Sequence, residues 1–374
     1  MGYVAARGGV EAIEHARHLV RFYRLRGGSP PLEVRQIQDQ FRLAVDKAMG
    51  EGGLYSPFHA ALALKQTEGD SAEAALMLRA FASTCPRTAA SCVVEPGEMH
   101  VLRRISAAFQ EVPGGQLLGP SRDYTQRLFD FALAEERDVE VHAFLTELAP
   151  AVLPDAGREL PRFPKVLDVL RAEGLLAPPP PRPAEGDVPF DVTRRALVFP
   201  APRSARLQTL ARGETGGLLA LAYSSMRGYG DVHPTIGDLR VGWVPLRIRH
   251  PRDGTPVHVG RVLVTEAEVL ARFGAADGNG GAPVFTVGYG LCFGHNELKA
   301  ICMAVLDRAM NEPEGRAPAE SEEFVLAHVD PVEASGFALH YKLPHYVTFQ
   351  SEIDRVRAVQ RRAARREDAR DAGR

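Results

Sequence analysis

Four consecutive prolines lie within Leu175-Leu-Ala-Pro-Pro-Pro-Pro-Arg-Pro-Ala-Glu-Gly-Asp187. Proline fixes φ and lacks a backbone donor, so neither a helix nor an interior strand can run through this segment. It reads as a stiff polyproline spacer, and a docking motif for a proline-binding module is the alternative. Patterns before and after it differ, which predicts an α+β protein: a helical N-terminal region, a Pro-rich linker and a mixed strand/helix C-terminal region. The expected organisation is 1–175 mainly helical, 176–190 linker, 191–350 mixed α/β and 351–374 a basic C-terminal helix or tail.

Ahead of the linker, Val10, Ile13, Val20 and Tyr23 form one helical stripe, and Val34, Ile37, Phe41, Val45 and Ala48 a second that ends at Gly50 and Gly52. A third helix is predicted from Asp70, with Glu73 placed as in a capping box, through Ala75, Leu76, Leu78 and Phe81. Beyond the linker, strands are predicted at Ala196 to Phe199, Leu239 to Ile248 and Val257 to Val264. Helical periodicity returns from Glu297 to Met310 and after Phe349, and Ala275 to Pro283 reads as a hairpin turn or loop.

A formal net charge of −2 argues against a dedicated DNA binder, which needs a basic excess to displace phosphate counterions. The eight arginines between Arg355 and Arg374 are diluted by Asp354, Glu367, Asp368 and Asp371, so the tail reads as a solvated helix. The N-terminus lacks a signal-peptide core and no apolar run is long enough to span a bilayer, so a cytoplasmic, membrane-free protein is expected. The four cysteines form no C-x-x-C pair, which gives reduced thiols rather than a disulfide framework. Cys292 and His295 make a C-x2-H pair, read either as half a metal site or as a buried cysteine beside a histidine.

Three of the twelve histidines, His328, His340 and His345, fall within eighteen residues. Residues five apart are separated by about 140° around a helix, and Pro344 interrupts one, so His340 and His345 belong on a turn. Two or three imidazoles leave coordination positions open for water, substrate or a partner chain. The plainer reading is of ordinary histidines beside a C-terminal helix. No P-loop, H-E-x-x-H, G-x-S-x-G or C-x3-C-x2-C motif occurs. Pro113 to Pro120 is a glycine-containing loop that runs into Ser121, and Tyr124, Leu128 and Phe131 keep helical spacing. Such a helix start, with Arg122 and Arg127 beside it, suits an anion, though a plain turn and N-cap fit as well. Tyr229, between Gly228 and Gly230, is placed either to stack on a base or to pack a tight turn, with Arg227, Asp231 and His233 nearby in sequence.

Read in order, several stretches are specific: Gln116 in Pro-Gly-Gly-Gln-Leu-Leu-Gly-Pro, the six residues from Asp123, Leu-Leu-Ala-Leu-Ala-Tyr-Ser from Leu218, Arg-Gly-Tyr-Gly from Arg227, Glu-Glu-Phe-Val-Leu-Ala-His ending at His328, and Lys-Leu-Pro-His-Tyr-Val from Lys342. Together, from about Tyr3 to Glu352, they resemble the I subunits of bacterial carbon-phosphorus lyase core complexes. The resemblance implies organic phosphonate catabolism. It implies a transferase subunit that displaces adenine from MgATP with methylphosphonate, giving alpha-D-ribose 1-methylphosphonate 5-triphosphate, and that alone acts as a purine nucleosidase on ATP or GTP. Implied partners are the G, H and J subunits, the ATP-binding-cassette subunits K and L, and a second copy of the chain. His340 and His345 match the family's Zn2+ ligands at the J contact, with His328 a possible third, while Mg2+ accompanies ATP. Breaking a glycosidic bond calls for a carboxylate near the anomeric carbon, for which Asp123, Glu214, Asp238 and Glu266 are candidates. Arg122, Arg127, Arg206, Arg227 and Tyr229 are candidates for holding the nucleotide. The alternative is a non-catalytic assembly scaffold that contributes a shared metal site.

Overall fold

The structure, a computed structural model, describes residues 9–152, 163–176, 188–229, 233–274, 284–311 and 317–372. Its centre is an antiparallel meander in the order β1-β2-β3-β4: β1 (His100–Ile105), β2 (Thr235–Arg249), β3 (Pro256–Gly274) and β4 (Val284–Phe293). The helices are α1 (Gly9–Leu25), α2 (Val34–Gln40), α3 (Arg42–Gly52), α4 (Pro57–Gln66), α5 (Ser71–Thr84), α6 (Asp138–Val152), α7 (Val166–Ala172), α8 (Arg203–Arg212), α9 (Thr215–Ser224), α10 (Glu297–Ala309), α11 (Glu322–His328), α12 (Pro331–His340) and α13 (Tyr346–Asp371). The α+β class is as the sequence indicates.

Val, Ile and Thr supply much of β2 and β3, where branched side chains suit a pleated surface. Gly254, at φ 73°, turns the chain between them. One sheet face packs on α10. A Cβ at Gly288 or Gly290 would collide with the carbonyls of Ala304 and Ala300, so bare glycine lets helix and strand approach to backbone contact. Leu239, Ala267, Val269 and Cys292 join Ala300, Met303 and Ala304 in the main core there, which α8 and α9 extend through Leu210 and Leu218. A second core unites α2 to α5 around Val45, Met49, Ala60, Leu64 and Leu78.

The chain falls into two compact units: Val34–Asp330, which holds the whole sheet, and Met1–Glu33 with Pro331–Arg374. The proline run therefore does not divide two folding units. β1, from the stretch expected to be mainly helical, pairs with β2 from beyond the linker. Residues 177–187 of the linker and the expected turn at 275–283 lie outside the described residues, although β3 and β4 on either side of that turn pair antiparallel.

Three further expectations need correction. The stripe from Val34 to Ala48 is two helices, broken at Phe41 (φ −105°, ψ 36°). Residues 196–199 form no strand; they are irregular chain that ends in a bend at Phe199. No α-helix starts at Ser121; residues 121–130 are turns and irregular chain, with Arg127 left-handed at φ 56°. Asp70 does cap α5, accepting from the N–H groups of Ala72 and Glu73.

Candidate functional site

Opposite the α10 face, the sheet carries charges. Residues directly across an antiparallel ladder share a face, as do residues two apart along a strand. The register sets Arg104 opposite Arg240 and Arg240 opposite Glu266, with Asp238 opposite Glu268 and Glu268 opposite Tyr289. Two arginines, three acids and a tyrosine therefore converge on one surface, and Lys165, just ahead of α7, lies over it.

Two sub-clusters differ in how fully their carboxylates are hydrogen-bonded. Arg104 and Asp238 form a closed buried pair: Arg104 Nε donates to Asp238 Oδ1 at 2.9 Å, and its terminal nitrogens donate to the carbonyls of Pro113, Gly115 and Pro164. Asp238 Oδ2 accepts from the N–H of Val166 at 2.8 Å. Each Asp238 oxygen has a donor, so this predicted carboxylate staples the 113–115 loop and the start of α7 to the sheet.

Glu266 accepts from Lys165 Nζ at 2.9 Å, from the Tyr289 hydroxyl at 3.1 Å and from both Arg240 Nε and Nη2. Glu268 Oε1 accepts from the same ammonium at 2.6 Å, while its buried Oε2 has no hydrogen-bond partner. Burial works against a charge on both acids, but the outcomes differ. At Glu266 the Arg240 and Lys165 cations outweigh burial and hold the carboxyl below its ordinary pKa. At Glu268, burial and then the neighbouring Glu266 charge push it up. Burial and the two acids also raise the Tyr289 hydroxyl well above its usual value. One carboxylate held ionised beside one biased toward the protonated form is how acid and base roles separate within a pair.

A third cluster lies on the α10 side. Arg103, 1% exposed, donates to Glu297, to Asp123 and to the Leu118 carbonyl, and His295 Nε2 lies 3.1 Å from Glu297. Asp123 is thus a half-exposed partner of a buried arginine. Glu214 caps α9, accepting from Gly217 N–H at 2.6 Å. Arg122 and Arg127 are exposed on the irregular loop, Arg206 faces Glu322 at 4.0 Å, and Arg227 is exposed on a π-helical turn, Ser225–Tyr229. The side chain of Tyr229 and the whole of Asp231 lie outside what is described, while His233 is exposed. Cys292 is buried and its thiol is pushed up to about 12 by burial, which makes it a poor ligand.

Sequence reasoning named Glu266 but missed Glu268, Lys165, Arg240 and Tyr289. The signal was present in Thr265-Glu-Ala-Glu268: two acids at i and i+2 inside an apolar strand must share a face.

The histidine pair flanks a turn, as its spacing requires. His340 ends α12, His345 precedes α13, and their rings are 5.2 Å apart. His340 Nδ1 bonds the Phe337 carbonyl and His345 Nδ1 bonds that of Leu343 at 2.6 Å, so each Nδ1 carries the proton and each Nε2 keeps a free lone pair. That is the tautomer a divalent metal takes, so the donors fit zinc. Among the described residues no third His, Cys, Asp or Glu completes a site. His328, in the other unit, bonds the Phe324 carbonyl and stacks on that ring.

A meander with a buried acid pair on one face, and a pair of imidazoles open at Nε2 on a separate helical unit, make up an α+β protein. Comparison with known proteins identifies the family. The family model described as "Bacterial phosphonate metabolism protein (PhnI)" matches residues 2–363. The chain is 52% identical over 372 residues to a putative C-P lyase subunit protein, HtxH, of Stutzerimonas stutzeri, covering 97% of each. It is 45% identical over 364 residues to the alpha-D-ribose 1-methylphosphonate 5-triphosphate synthase subunit PhnI of Escherichia coli (strain K12), covering 96% of this chain and 98% of that one. The same-named subunit of Rhizobium meliloti (strain 1021) is 43% identical over 377 residues, covering 99% of this chain and 97% of that one. The chain belongs to the PhnI family of bacterial phosphonate metabolism proteins.

Proposed function

We propose that this protein is the subunit of a carbon-phosphorus lyase system in which methylphosphonate displaces adenine from MgATP, and that alone it is a purine nucleosidase. The observation that carries the chemistry is the Glu266–Glu268 pair, two neighbouring carboxyls with opposed protonation preferences. A methylphosphonate oxygen attacks C1′, the C1′–N9 bond breaks, and its electron pair leaves with the purine, which takes up a proton. Ionised Glu266 stabilises the positive charge that develops on the ribose, and protonated Glu268 supplies the proton to the base. With water as nucleophile the same step yields ribose 5-triphosphate and free adenine. Mg2+ enters with the triphosphate as part of the substrate. The naming of the Escherichia coli relative as a synthase subunit for this product supports the reading.

In this reading His340 and His345 supply two nitrogen ligands to Zn2+ shared with the J subunit, and the chain assembles with a second copy and with the G, H, K and L subunits in the cytoplasm. No helix among the described residues is long and apolar enough to cross a membrane. The scaffold reading draws on one observation, that α1 buries none of its residues and presents Val10, Ile13, Val20 and Phe22 to solvent. Chromatography of MgATP incubated with the purified chain separates the two: free adenine from wild type but not from Glu268→Gln supports the nucleosidase, and no adenine from folded protein overturns it.

A further inference from the structure

β4 is an edge strand among the described residues, and some of its outward backbone groups have partners. Gly294 N–H donates to Leu263 on β3, so the even-numbered residues of this stretch face the sheet and the odd-numbered ones face away. Of the outward groups, Phe285 N–H donates to the Leu175 carbonyl, Tyr289 N–H to Asp307 and the Phe293 carbonyl accepts from Asn296. As with Val287, whose outward N–H and C=O also lack a partner, no hydrogen-bond partner among the described residues meets the N–H and C=O of Leu291 or the N–H of Phe293.

Leu291 and Phe293 line a cavity of about 530 Å³, with Phe190 and Val192 on its walls and Gln208 and Arg212 among its polar groups. The Arg212 guanidinium packs against Gly53, where positive φ (64°) and the absence of a Cβ give it room. It too has no hydrogen-bond partner among the described residues, whereas neighbouring Arg79 is bonded to Asp330 and Arg87 to Asp191. Burial, and then the charge of Arg79, pull the Arg212 pKa down against the opposing charges of Asp330 and Asp191, the latter also on the cavity wall.

We infer that this cavity binds a purine nucleotide, with the base on the Leu291–Phe293 edge and a phosphate on Arg212. A carbonyl and an N–H two residues apart on one strand edge match the exocyclic amine and N1 of adenine, a donor beside an acceptor. Aromatic and branched walls suit the two faces of a planar base, and a free guanidinium suits a phosphate oxygen. Leu291 is also the cross-strand neighbour of Glu266, although neither acid of the pair lines the cavity. The inference rests on the proposed nucleosidase reading for its ligand, but its geometry stands apart from the chemistry.

The test uses the purified full-length chain with ADP and adenosine as probes. Amide exchange of wild type followed by mass spectrometry is expected to show slowed exchange in peptides covering 289–294 with either probe. Arg212→Gln is expected to weaken ADP at least about tenfold and adenosine less than about twofold, because only the phosphate contact is removed. Ala211→Phe, which fills the cavity, is expected to abolish both. If ADP binds Arg212→Gln and Ala211→Phe as it binds wild type, with no protection at 289–294, the site is elsewhere, whereas adenine release by wild type would still uphold the nucleosidase. If ADP binds here and no adenine is released, the nucleosidase reading falls and the binding site stands. Absence of binding by either probe overturns the site outright.

Discussion

The two acids of the sheet pair separate under substitution, because Glu266 meets two cations and a hydroxyl while Glu268 keeps one buried oxygen without a donor. Glu268→Gln keeps shape and removes the proton to be donated. It is expected to cut adenine release by about 10²-fold or more with the fold intact, and folded protein with unchanged turnover would remove Glu268 from the chemistry. Glu266→Gln removes the hydrogen-bonded counter-ion of Arg240 and leaves Lys165 on Glu268 alone, and is expected to lose about 3–5 kcal/mol in urea denaturation as well as activity. Lys299 gives a pH signature. Its side chain is fully buried, with Nζ donating to the Gly213 carbonyl at 2.7 Å, and burial lowers its pKa from 10.5 to about 8. Between those values the unfolded chain holds a proton that the folded one has shed, so this group makes stability rise with pH across that window, and its penalty is fully present below about pH 8. The difference in urea midpoint between Lys299→Met and wild type is expected to shrink as pH goes from 8 to 10; a constant difference would mean that the ammonium is not destabilised in the fold.

At the scale of elements, the sheet and α10 are held at backbone distance by two bare glycines. Gly288→Ala or Gly290→Ala would drive a methyl into the carbonyl of Ala304 or Ala300. Each is expected to cost about 1–3 kcal/mol or more, read as a lowered Tm, while Gly115→Ala, where a Cβ meets no atom, serves as a comparison for strain at positive φ (81°) alone. These glycines show what was legible. β4 was not legible, because glycine is a poor strand former and the use of Gly288 and Gly290 at a close helix–strand contact depends on Ala304 and Ala300, ten or more residues away. The alternating apolar stretches of β2 and β3 were readable, since burial of one face dictates the period, and so was the Asp70 cap. The break at Phe41 was not, for no glycine or proline marks it. Helical spacing at Tyr124, Leu128 and Phe131 was overridden when Arg103 drew Asp123 into an ion pair and Ser121 Oγ accepted the Asp123 N–H. The acid pair was half legible: Glu266 and Glu268 announce a shared face, but Lys165 comes from about a hundred residues earlier and only the folded chain places it there.

For the whole molecule, the acid pair and the histidine pair belong to different compact units, Val34–Asp330 and Met1–Glu33 with Pro331–Arg374. Separate units permit separate losses. His340 and His345 both hold their Nδ1 protons on backbone carbonyls and leave Nε2 open, yet two nitrogens are too few to close a zinc site, so the zinc proposed above would need further ligands from outside the pair. The double substitution His340→Ala, His345→Ala is therefore expected to lower the zinc content of the chain assembled with its partner subunits to background, as read by elemental analysis, and to leave adenine release by the chain alone within about twofold. Exposed Tyr341, Tyr346, Val347 and Phe349 surround the pair, apolar surface of the kind that a partner covers. Assembly through those residues would survive the loss of metal in weakened form. Undiminished zinc in the double variant would place the metal elsewhere, and a parallel fall in adenine release would tie the two units into one site, against the division of labour argued for them.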